Sequence, residues 1–297
     1  MHLAFLLFYV SLVNDVRTLV SLHDLAGAER TARSYQRQAG ATPEFAAALS
    51  WIARGALDLH QLDQADKYAS ETREVAVQLL RTRKLDADPW LPTALGASIE
   101  VHALVLVARG ERSEAISFLN QQLAIYRSTS IGERIRKNVN LLSMEGKPAP
   151  PLEVNEWLGA KPSTLAALRG HPILLFFWAH WCPDCKGESP ILASLITKYG
   201  PKGLVVVAPT KLYGYVAGGE PAAPVTEKRY IELVRQQYYP GLAGMPIPLS
   251  ENNFQVYGAS TTPTIALIDA TGVVRFYHPG AASEQELSTR VQKLLGK

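Results

Sequence analysis

Hydrophobic positions in the first half of the chain recur with the spacing of helices. One stripe alternates intervals of four and three residues, which places its members on a single helical face: Phe45, Leu49, Ile52, Ala56 and Leu59. Similar stripes follow within residues 62–79 and 119–126. From residue 11 to residue 143 the pattern predicts helices and no strands.

Three short segments in this half resemble one another, and each has a small alanine at Ala28, Ala65 or Ala115. Each segment would form a tight turn and the start of a second helix. This resembles the tetratricopeptide plan of stacked helical hairpins, although the spacing is irregular against that family's period of about 34 residues. We therefore predict a degenerate tetratricopeptide-like array over residues 1–145, acting either as a peptide-binding groove or as a packed spacer.

Residues 3–10 are as apolar as the core of an export signal, and they are too few to span a bilayer. No Lys or Arg precedes them, and Asn14-Asp15-Val16 follows in place of a small-residue cleavage site. Two interpretations stay open: a degenerate export signal, or the first buried helix.

A proline-rich stretch at residues 146–151 ends the helical pattern, since prolines cannot continue a helix. It divides the chain into predicted domains at 1–145 and 146–297. Beyond it, apolar runs that predict strands alternate with amphipathic runs that predict helices. The strands are 173–178, 203–207, 264–268 and 273–277, and the helices are 183–199, 226–238 and 283–295. This order predicts an α/β domain with a mixed central sheet and helices on both faces.

The chain's two cysteines are Cys182 and Cys185, directly after the first of these strands. A strand that ends in a turn and begins a helix at Cys-x-x-Cys is typical of a dithiol redox site. Cys182 would lie at the helix N-terminus, where free N–H groups stabilise a thiolate. Pro183 suits the first helical position, because its missing N–H would be unpaired there in any case. A zinc site needs four ligands, and only His180 adds to the pair locally, so we expect no metal.

From residue 146 onward the chain resembles the thioredoxin-like domain of TlpA and ResA, in the redoxin family. The resemblance rests on four matching segments and a hairpin turn: Gly146-Lys147-Pro148-Ala149-Pro150, Phe177-Trp178-Ala179-His180-Trp181-Cys182-Pro183-Asp184-Cys185, Glu188-Ser189-Pro190, Thr262-Pro263-Thr264 and Asp269-Ala270-Thr271-Gly272. It implies a thioredoxin fold, and no cofactor other than a redox-active Cys182–Cys185 disulfide.

The resemblance also assigns roles to neighbouring residues. Trp181, Thr262 and Pro263 would form the surface on which a substrate docks, with a cis bond before Pro263. Glu188 would accept the proton of the resolving thiol; its alternative is a solvated helix carboxylate. Pro190 would bend the helix that follows the dithiol.

Two positions depart from thioredoxin itself. Phe176 stands where thioredoxin carries a buried Asp, and Pro183-Asp184 replaces Gly-Pro between the cysteines. The Asp184 carboxylate disfavours a Cys182 thiolate, whereas a charged His180 or Lys186 would favour it. The direction of the redox reaction therefore stays open.

The sequence predicts a thiol–disulfide oxidoreductase that uses Cys-Pro-Asp-Cys to reduce or exchange disulfides in a protein partner, and that is recharged by an upstream thiol reductant. The alternatives are a redoxin-type peroxidase with Cys182 as its peroxidatic thiol, and a non-enzymatic scaffold. The helical half would hold a peptide partner. Residues 210–225 form a long segment that is either a lid using Tyr213 and Tyr215 or surface ornament.

Composition narrows the partners and the compartment. The 297 residues are 47% hydrophobic and 19% charged, which indicates a globular chain. The net charge of +3 is dispersed with no basic block, so we expect no nucleic-acid partner. A single redox pair without spare thiols favours an extracytoplasmic or periplasmic location, with the cytoplasm as the alternative.

Overall fold

The computed structural model of the protein describes residues 11–242 and 244–296. The chain divides into two compact units, the first ending at Ile135 and the second beginning at Arg136. The segment at residues 3–10, for which an export signal was one interpretation, lies outside the described residues.

The described part of the first unit is helical and contains no strand, as the sequence predicts. Its helices are α1 (Leu12–Ser21), α2 (Leu25–Ala39), α3 (Pro43–Asp58), α4 (Leu62–Leu79), α5 (Trp90–Ala108), α6 (Arg112–Tyr126) and α7 (Gly132–Ser143), the last of which continues into the second unit. Thr42 begins α3 by accepting the Phe45 N–H, with Pro43 in the first helical position.

The three turns that the sequence singles out share one geometry. Each contains a residue with positive φ, namely His23, His60 or Gly110, at 60°, 57° and 87°. In each, the following N–H donates to the carbonyl five residues earlier, which satisfies an orphan carbonyl at the helix end. The alanine of each segment is fully buried. The array therefore repeats one turn, while its tetratricopeptide-like nature stays a prediction.

Successive hairpins in this unit pack side by side: α1 against α3, and α3 against α5. Helix α5 is long and apolar enough to cross a membrane, the one described helix of which this holds. More than half of its apolar window is buried within the protein, as in the central helix of a packed helical unit. We therefore interpret α5 as a core helix.

The second unit contains two sheets and the remaining helices. The strands are β1 (Trp157–Gly159), β2 (Ile173–Phe177), β3 (Val205–Val207), β4 (Pro246–Pro248), β5 (Thr264–Ile268) and β6 (Val274–Pro279). The helices are α8 (Pro183–Gly187), α9 (Ser189–Tyr199), α10 (Pro224–Tyr238), α11 (Glu251–Tyr257) and α12 (Glu284–Leu294). The larger sheet has the order β3-β2-β5-β6, with β2 parallel to β3 and antiparallel to β5. The predicted mixed sheet is confirmed.

Strand β2 is buried along its whole length because both faces of the sheet are covered. Leu174 and Phe176 pack into a core with residues of α9, α10 and α12. Ile173, Leu175 and Phe177 point the other way and pack with residues of α11. The alternation of side chains along β2 thus points Leu174 and Phe176 into the core that also contains both cysteines.

Three features differ from the predicted pattern. The single helix predicted over 183–199 is divided into α8 and α9, since Pro190 has no N–H to continue the helical ladder. The antiparallel pair of β1 with β4 and the helix α11 were not predicted. The boundary between the units lies inside α7, before the proline-rich stretch.

The end of α7 belongs to the second unit because it packs closely on the end of α11. Asn140 Nδ2 donates to the Tyr257 carbonyl at 2.9 Å and to that of Val256 at 3.3 Å. Gly258 ends α11 with φ 62°, and a methyl group there would lie 2.4 Å from the Lys137 nitrogen. Only glycine fits both that left-handed backbone and that close approach.

We expect Gly258→Ala to destabilise the second unit by several kcal/mol, because strain and a backbone clash add together. Gly146→Ala is the matched control, since Gly146 has φ 81° but no atom within 4 Å of the added methyl. It should lose only about 1–2 kcal/mol. The unfolding of both variants is measured by the alkylation of reduced Cys185 at increasing urea concentration, because this side chain is buried in the folded protein. Equal losses would contradict the close packing of α7 on Gly258.

Candidate functional site

The two cysteines lie where β2 gives way to α8. Cys182 caps the helix and Cys185 lies in its first turn, and the two form a disulfide with a Cα–Cα distance of 5.3 Å. The Cys185 N–H donates to Cys182 Sγ at 3.0 Å. The first N–H groups of a helix have no partner within it, so this one is available to the sulfur. In the reduced protein the same N–H would stabilise a Cys182 thiolate.

Access to the pair favours Cys182 over Cys185. Cys182 is 2% exposed and Cys185 is 0% exposed, whereas the adjoining Trp181 is 46% exposed. Pro183 and Asp184 between the cysteines are exposed as well. Cys182, which lies between exposed Trp181 and exposed Pro183, is therefore the cysteine placed to meet an incoming disulfide first.

Thr262 and Pro263 face the dithiol, as the resemblance implies. The bond between them is cis. The Thr262 carbonyl oxygen lies 3.4 Å from Cys182 Sγ. The partly exposed Thr262 thus places its backbone carbonyl beside Cys182 Sγ, the sulfur that would form a mixed disulfide with a substrate.

Glu188 is buried, which rules out a solvated helix carboxylate: it is 2% exposed. Its Oε1 accepts the Ala282 N–H at 2.7 Å, and its Oε2 accepts no hydrogen bond from any described residue. Burial raises the pKa of Glu188, and the Ala282 hydrogen bond only partly opposes that shift. The raised pKa moves this carboxyl closer to the range in which it can exchange a proton at neutral pH.

His180 is buried as well, which changes the role that the sequence suggested for it. Burial lowers the pKa of His180, and the nearby Glu227 carboxylate opposes the shift without reversing it. The imidazole is therefore largely neutral at pH 7. A neutral His180 adds little positive charge near Cys182, so it does not stabilise the Cys182 thiolate as a charged His180 would.

Glu227 is a buried carboxylate that the sequence interpretation missed. It lies on α10, is 1% exposed, and its Oε1 is 3.3 Å from His180 Nε2. A signal existed in the sequence: Glu227, Ile231 and Val234 are spaced four and three residues apart, and all three face the core. A carboxylate on an apolar stripe is a candidate functional residue.

The segment at residues 210–223 packs around His180, so it belongs to the site. Tyr213, Tyr215 and Tyr230 surround the His180 ring, with centroids at 5.6, 5.5 and 5.3 Å. Tyr213 also contacts Trp181, with ring centroids 5.6 Å apart. The site therefore extends from the dithiol through aromatic side chains to α10.

The predicted site residues thus form two sets. Trp181, Pro183 and Asp184 are exposed beside the dithiol and Thr262 is partly exposed, while Pro263, His180 and Glu188 are buried. Across residues 11–242 and 244–296, no three His, Cys, Asp or Glu side chains are grouped closely enough to hold a metal ion.

Comparisons with known proteins agree with this geometry. The model of the AhpC/TSA family matches residues 146–210. A thiol:disulfide interchange protein DsbE of Pseudomonas fluorescens biotype C is 32% identical over 156 residues, which are 51% of this chain and 78% of that protein. A thiol-disulfide oxidoreductase ResA of Bacillus anthracis is 28% identical over 153 residues, with shares of 50% and 78%.

One solved structure illustrates the extent of the match. A putative thiol:disulfide interchange protein DsbE from Chlorobium tepidum is 25% identical, with a TM-score of 0.41. The match covers 51% of this chain and 98% of that one.

Replacing Glu188 with Gln should change how stability depends on pH. A carboxyl whose pKa is raised on folding contributes stability that is present at acidic pH and is lost as the pH rises through the folded pKa. Gln does not titrate, so the stability of Glu188→Gln relative to the parent should increase from pH 4 to pH 8. The increase should be about 1.4 kcal/mol for each pKa unit of the shift.

Scanning calorimetry at several pH values measures this difference. Exposed Glu220, changed to Gln, is the control and should show no such trend. A stability difference between Glu188→Gln and the parent that does not change with pH would show that burial does not raise the pKa of Glu188.

Proposed function

Because the chain belongs to the family of thioredoxin-fold thiol–disulfide oxidoreductases that includes DsbE and ResA, we propose that its Cys182–Cys185 pair reduces or exchanges disulfides in a protein partner. The single observation that supports this most directly is the Cys185 N–H on Cys182 Sγ at 3.0 Å, next to exposed Trp181. Cys182 Sγ is held at the start of the helix beside exposed Trp181, and Cys185 is fully buried within bonding distance of it.

The reaction conserves sulfur and electrons in two exchanges. The Cys182 thiolate attacks one sulfur of the substrate disulfide, forms a mixed disulfide and releases the other substrate sulfur as a thiolate. Cys185 then loses its proton and attacks Cys182 Sγ, which releases the second substrate sulfur. The substrate gains two electrons, and the pair is left as the disulfide that the structure contains. An upstream thiol reductant returns the two electrons.

Glu188 is the proposed acceptor of the Cys185 proton. It lies one helical turn after Cys185, is buried in the same unit, and has a raised pKa and an Oε2 with no hydrogen bond from any described residue. A carboxyl with these properties can take a proton in a dry environment and return it later. Phe176 lies in the same core as the dithiol, at the position where thioredoxin carries a buried Asp. The proton acceptor of Cys185 must therefore be another residue.

Trp181, Thr262 and Pro263 are the proposed docking surface, while Pro183 and Asp184 shape its rim. Trp181 offers an exposed ring, and the Thr262 carbonyl lies beside Cys182 Sγ. A substrate chain laid along residue 262 would therefore present its disulfide to Cys182.

The first unit is proposed to be a tetratricopeptide-like array that binds a peptide of a partner. The support is the single turn geometry that recurs at His23, His60 and Gly110. An extracytoplasmic or periplasmic location is proposed because the chain's two cysteines are both in the redox pair, which suits an oxidising compartment.

Two cysteine variants test the reaction. Cys182→Ser should abolish reduction of insulin disulfides, because the attacking sulfur is gone. Cys185→Ser should still attack but cannot resolve, so it should accumulate a mixed disulfide visible as a mass adduct of the substrate. Unchanged turnover by Cys182→Ser would falsify the proposal. Rapid consumption of hydrogen peroxide by the parent, without insulin reduction, would favour the peroxidase alternative.

The role of Glu188 has its own test in single-turnover kinetics. Glu188→Gln should slow the resolution of a preformed mixed disulfide at Cys182 by about 10²-fold, since it removes a general base. The attack by Cys182 should slow far less. Glu114→Gln is the matched control, because that exposed carboxylate lies in the first unit, whereas the dithiol lies in the second. Equal slowing of both steps in Glu188→Gln would contradict the role in resolution.

A further inference from the structure

The proposed exchange reaction assigns no role to one buried carboxylate, that of Glu227. Glu227 is 1% exposed, and burying a carboxylate is unfavourable unless hydrogen bonds or opposite charges compensate. No step of the reaction uses it. Its contacts show what the carboxylate does instead.

Both carboxylate oxygens of Glu227 hold the backbone of the segment at residues 210–223. Oε1 accepts the Tyr213 N–H at 2.5 Å, and Oε2 accepts the Gly214 N–H at 2.8 Å. Hydrogen bonds to a charged acceptor are about twice as strong as neutral ones. The carboxylate thus fixes the backbone at the point where the two tyrosines leave the segment.

The same carboxylate faces His180, two residues before Cys182. Its Oε1 lies 3.3 Å from His180 Nε2, and the imidazole is packed edge-on against Tyr213 and Tyr215. His180 therefore fills the space between the carboxylate and the tyrosine rings.

The segment is tied down at its start as well. Thr210 Oγ1 donates to the Trp178 carbonyl at 2.8 Å, and the Thr210 N–H donates to the Pro248 carbonyl at 2.9 Å. Within the segment, the Ala222 N–H donates to the Gly214 carbonyl. The segment is thus attached to the rest of the unit at Thr210 and, through Glu227, at Tyr213 and Gly214.

These contacts place an aromatic wall beside the dithiol, defined here as Trp181, Tyr213 and Tyr215. Trp181 directly precedes Cys182, and its ring meets Tyr213, which in turn lies 6.2 Å from Tyr215 between ring centroids. Trp181 is 46% exposed and both tyrosines are partly exposed. The wall therefore offers a visiting polypeptide a larger contact surface than a small, non-aromatic disulfide can cover.

We propose that Glu227 and His180 are positioning residues that hold the aromatic wall beside Cys182, and that this wall makes the enzyme prefer polypeptide disulfides to small-molecule disulfides. The inference rests on the proposed function and deepens it. Glu227 acts through the Tyr213 and Gly214 backbone, and His180 acts as the packed spacer between Glu227 and the tyrosine rings.

The test compares kcat/KM for insulin disulfides with kcat/KM for the small, non-aromatic bis(2-hydroxyethyl) disulfide in the full chain. Glu227→Gln cannot accept both N–H groups, because one oxygen becomes a donor. We expect the ratio of kcat/KM for insulin to that for bis(2-hydroxyethyl) disulfide to fall about tenfold, which corresponds to the loss of one hydrogen bond to a charged group. The KM for insulin should rise while kcat changes little. A purely structural defect would instead lower the amount of active enzyme and therefore the apparent kcat.

Glu232→Gln is the matched control. Glu232 lies on the same helix and accepts hydrogen bonds from Arg235 and Gln236 on that helix. Its substitution should leave the ratio unchanged. Tyr213→Leu gives a second test should Glu227→Gln not fold: it keeps the backbone N–H but removes the ring between Trp181 and His180. Its ratio should fall at least about fivefold.

A ratio within twofold of the parent in Glu227→Gln, or in Tyr213→Leu where the first variant does not fold, would overturn the inference. An equal fall of the ratio in Glu232→Gln would also overturn it, as would a fall in kcat with no change in KM. Failure of the proposed function looks different: the parent would then reduce neither insulin nor bis(2-hydroxyethyl) disulfide.

Discussion

The chemistry of the site depends on a single hydrogen bond between the Cys185 N–H and Cys182 Sγ, 3.0 Å long. It exists because β2 ends at Phe177 and a helix begins at Pro183, which directs a free N–H at the sulfur. The same arrangement exposes Trp181 and buries Cys185, so the roles of attacking and resolving sulfur follow from the fold. Every other contact of the site acts on this pair or on what approaches it.

Two buried carboxylates near this pair are compensated in different ways. Glu188 accepts one N–H and keeps Oε2 without a hydrogen bond from any described residue, and its pKa rises on burial. Glu227 accepts two N–H groups and faces His180, so its charge is well satisfied. The under-compensated carboxylate suits proton transfer, whereas the fully bonded one suits holding a segment in place.

Much of this was predictable from the sequence, because the strongest signals are local. A buried apolar run followed by Cys-Pro-Asp-Cys predicts a strand, a turn and a helix beginning at Pro183, and the structure has all three. The mixed sheet followed from the order of strands and helices. The missed strand β4 begins and ends in proline, which argues against a strand, and it pairs with only three residues of β1.

The remaining differences arise from contacts between residues distant in the sequence. The proline-rich stretch is a strong local boundary signal, but Asn140 and Lys137 join the end of α7 to residues 256–258, more than a hundred positions away. Glu227 was overlooked because its partners, His180 and the Tyr213 backbone, are brought together only by the fold. The helical stripe predicted that it is buried; it could not predict what it binds.

The most direct measurement is a redox titration of the full chain in thiol–disulfide buffers, with the thiols trapped by alkylation and counted by mass. The chain has two cysteines, so the mass reports on this pair alone. We expect one transition between zero and two alkyl groups, with no singly alkylated species, because the two sulfurs gain and lose electrons together. A stable singly modified form, or two thiols that never become a disulfide, would contradict the account.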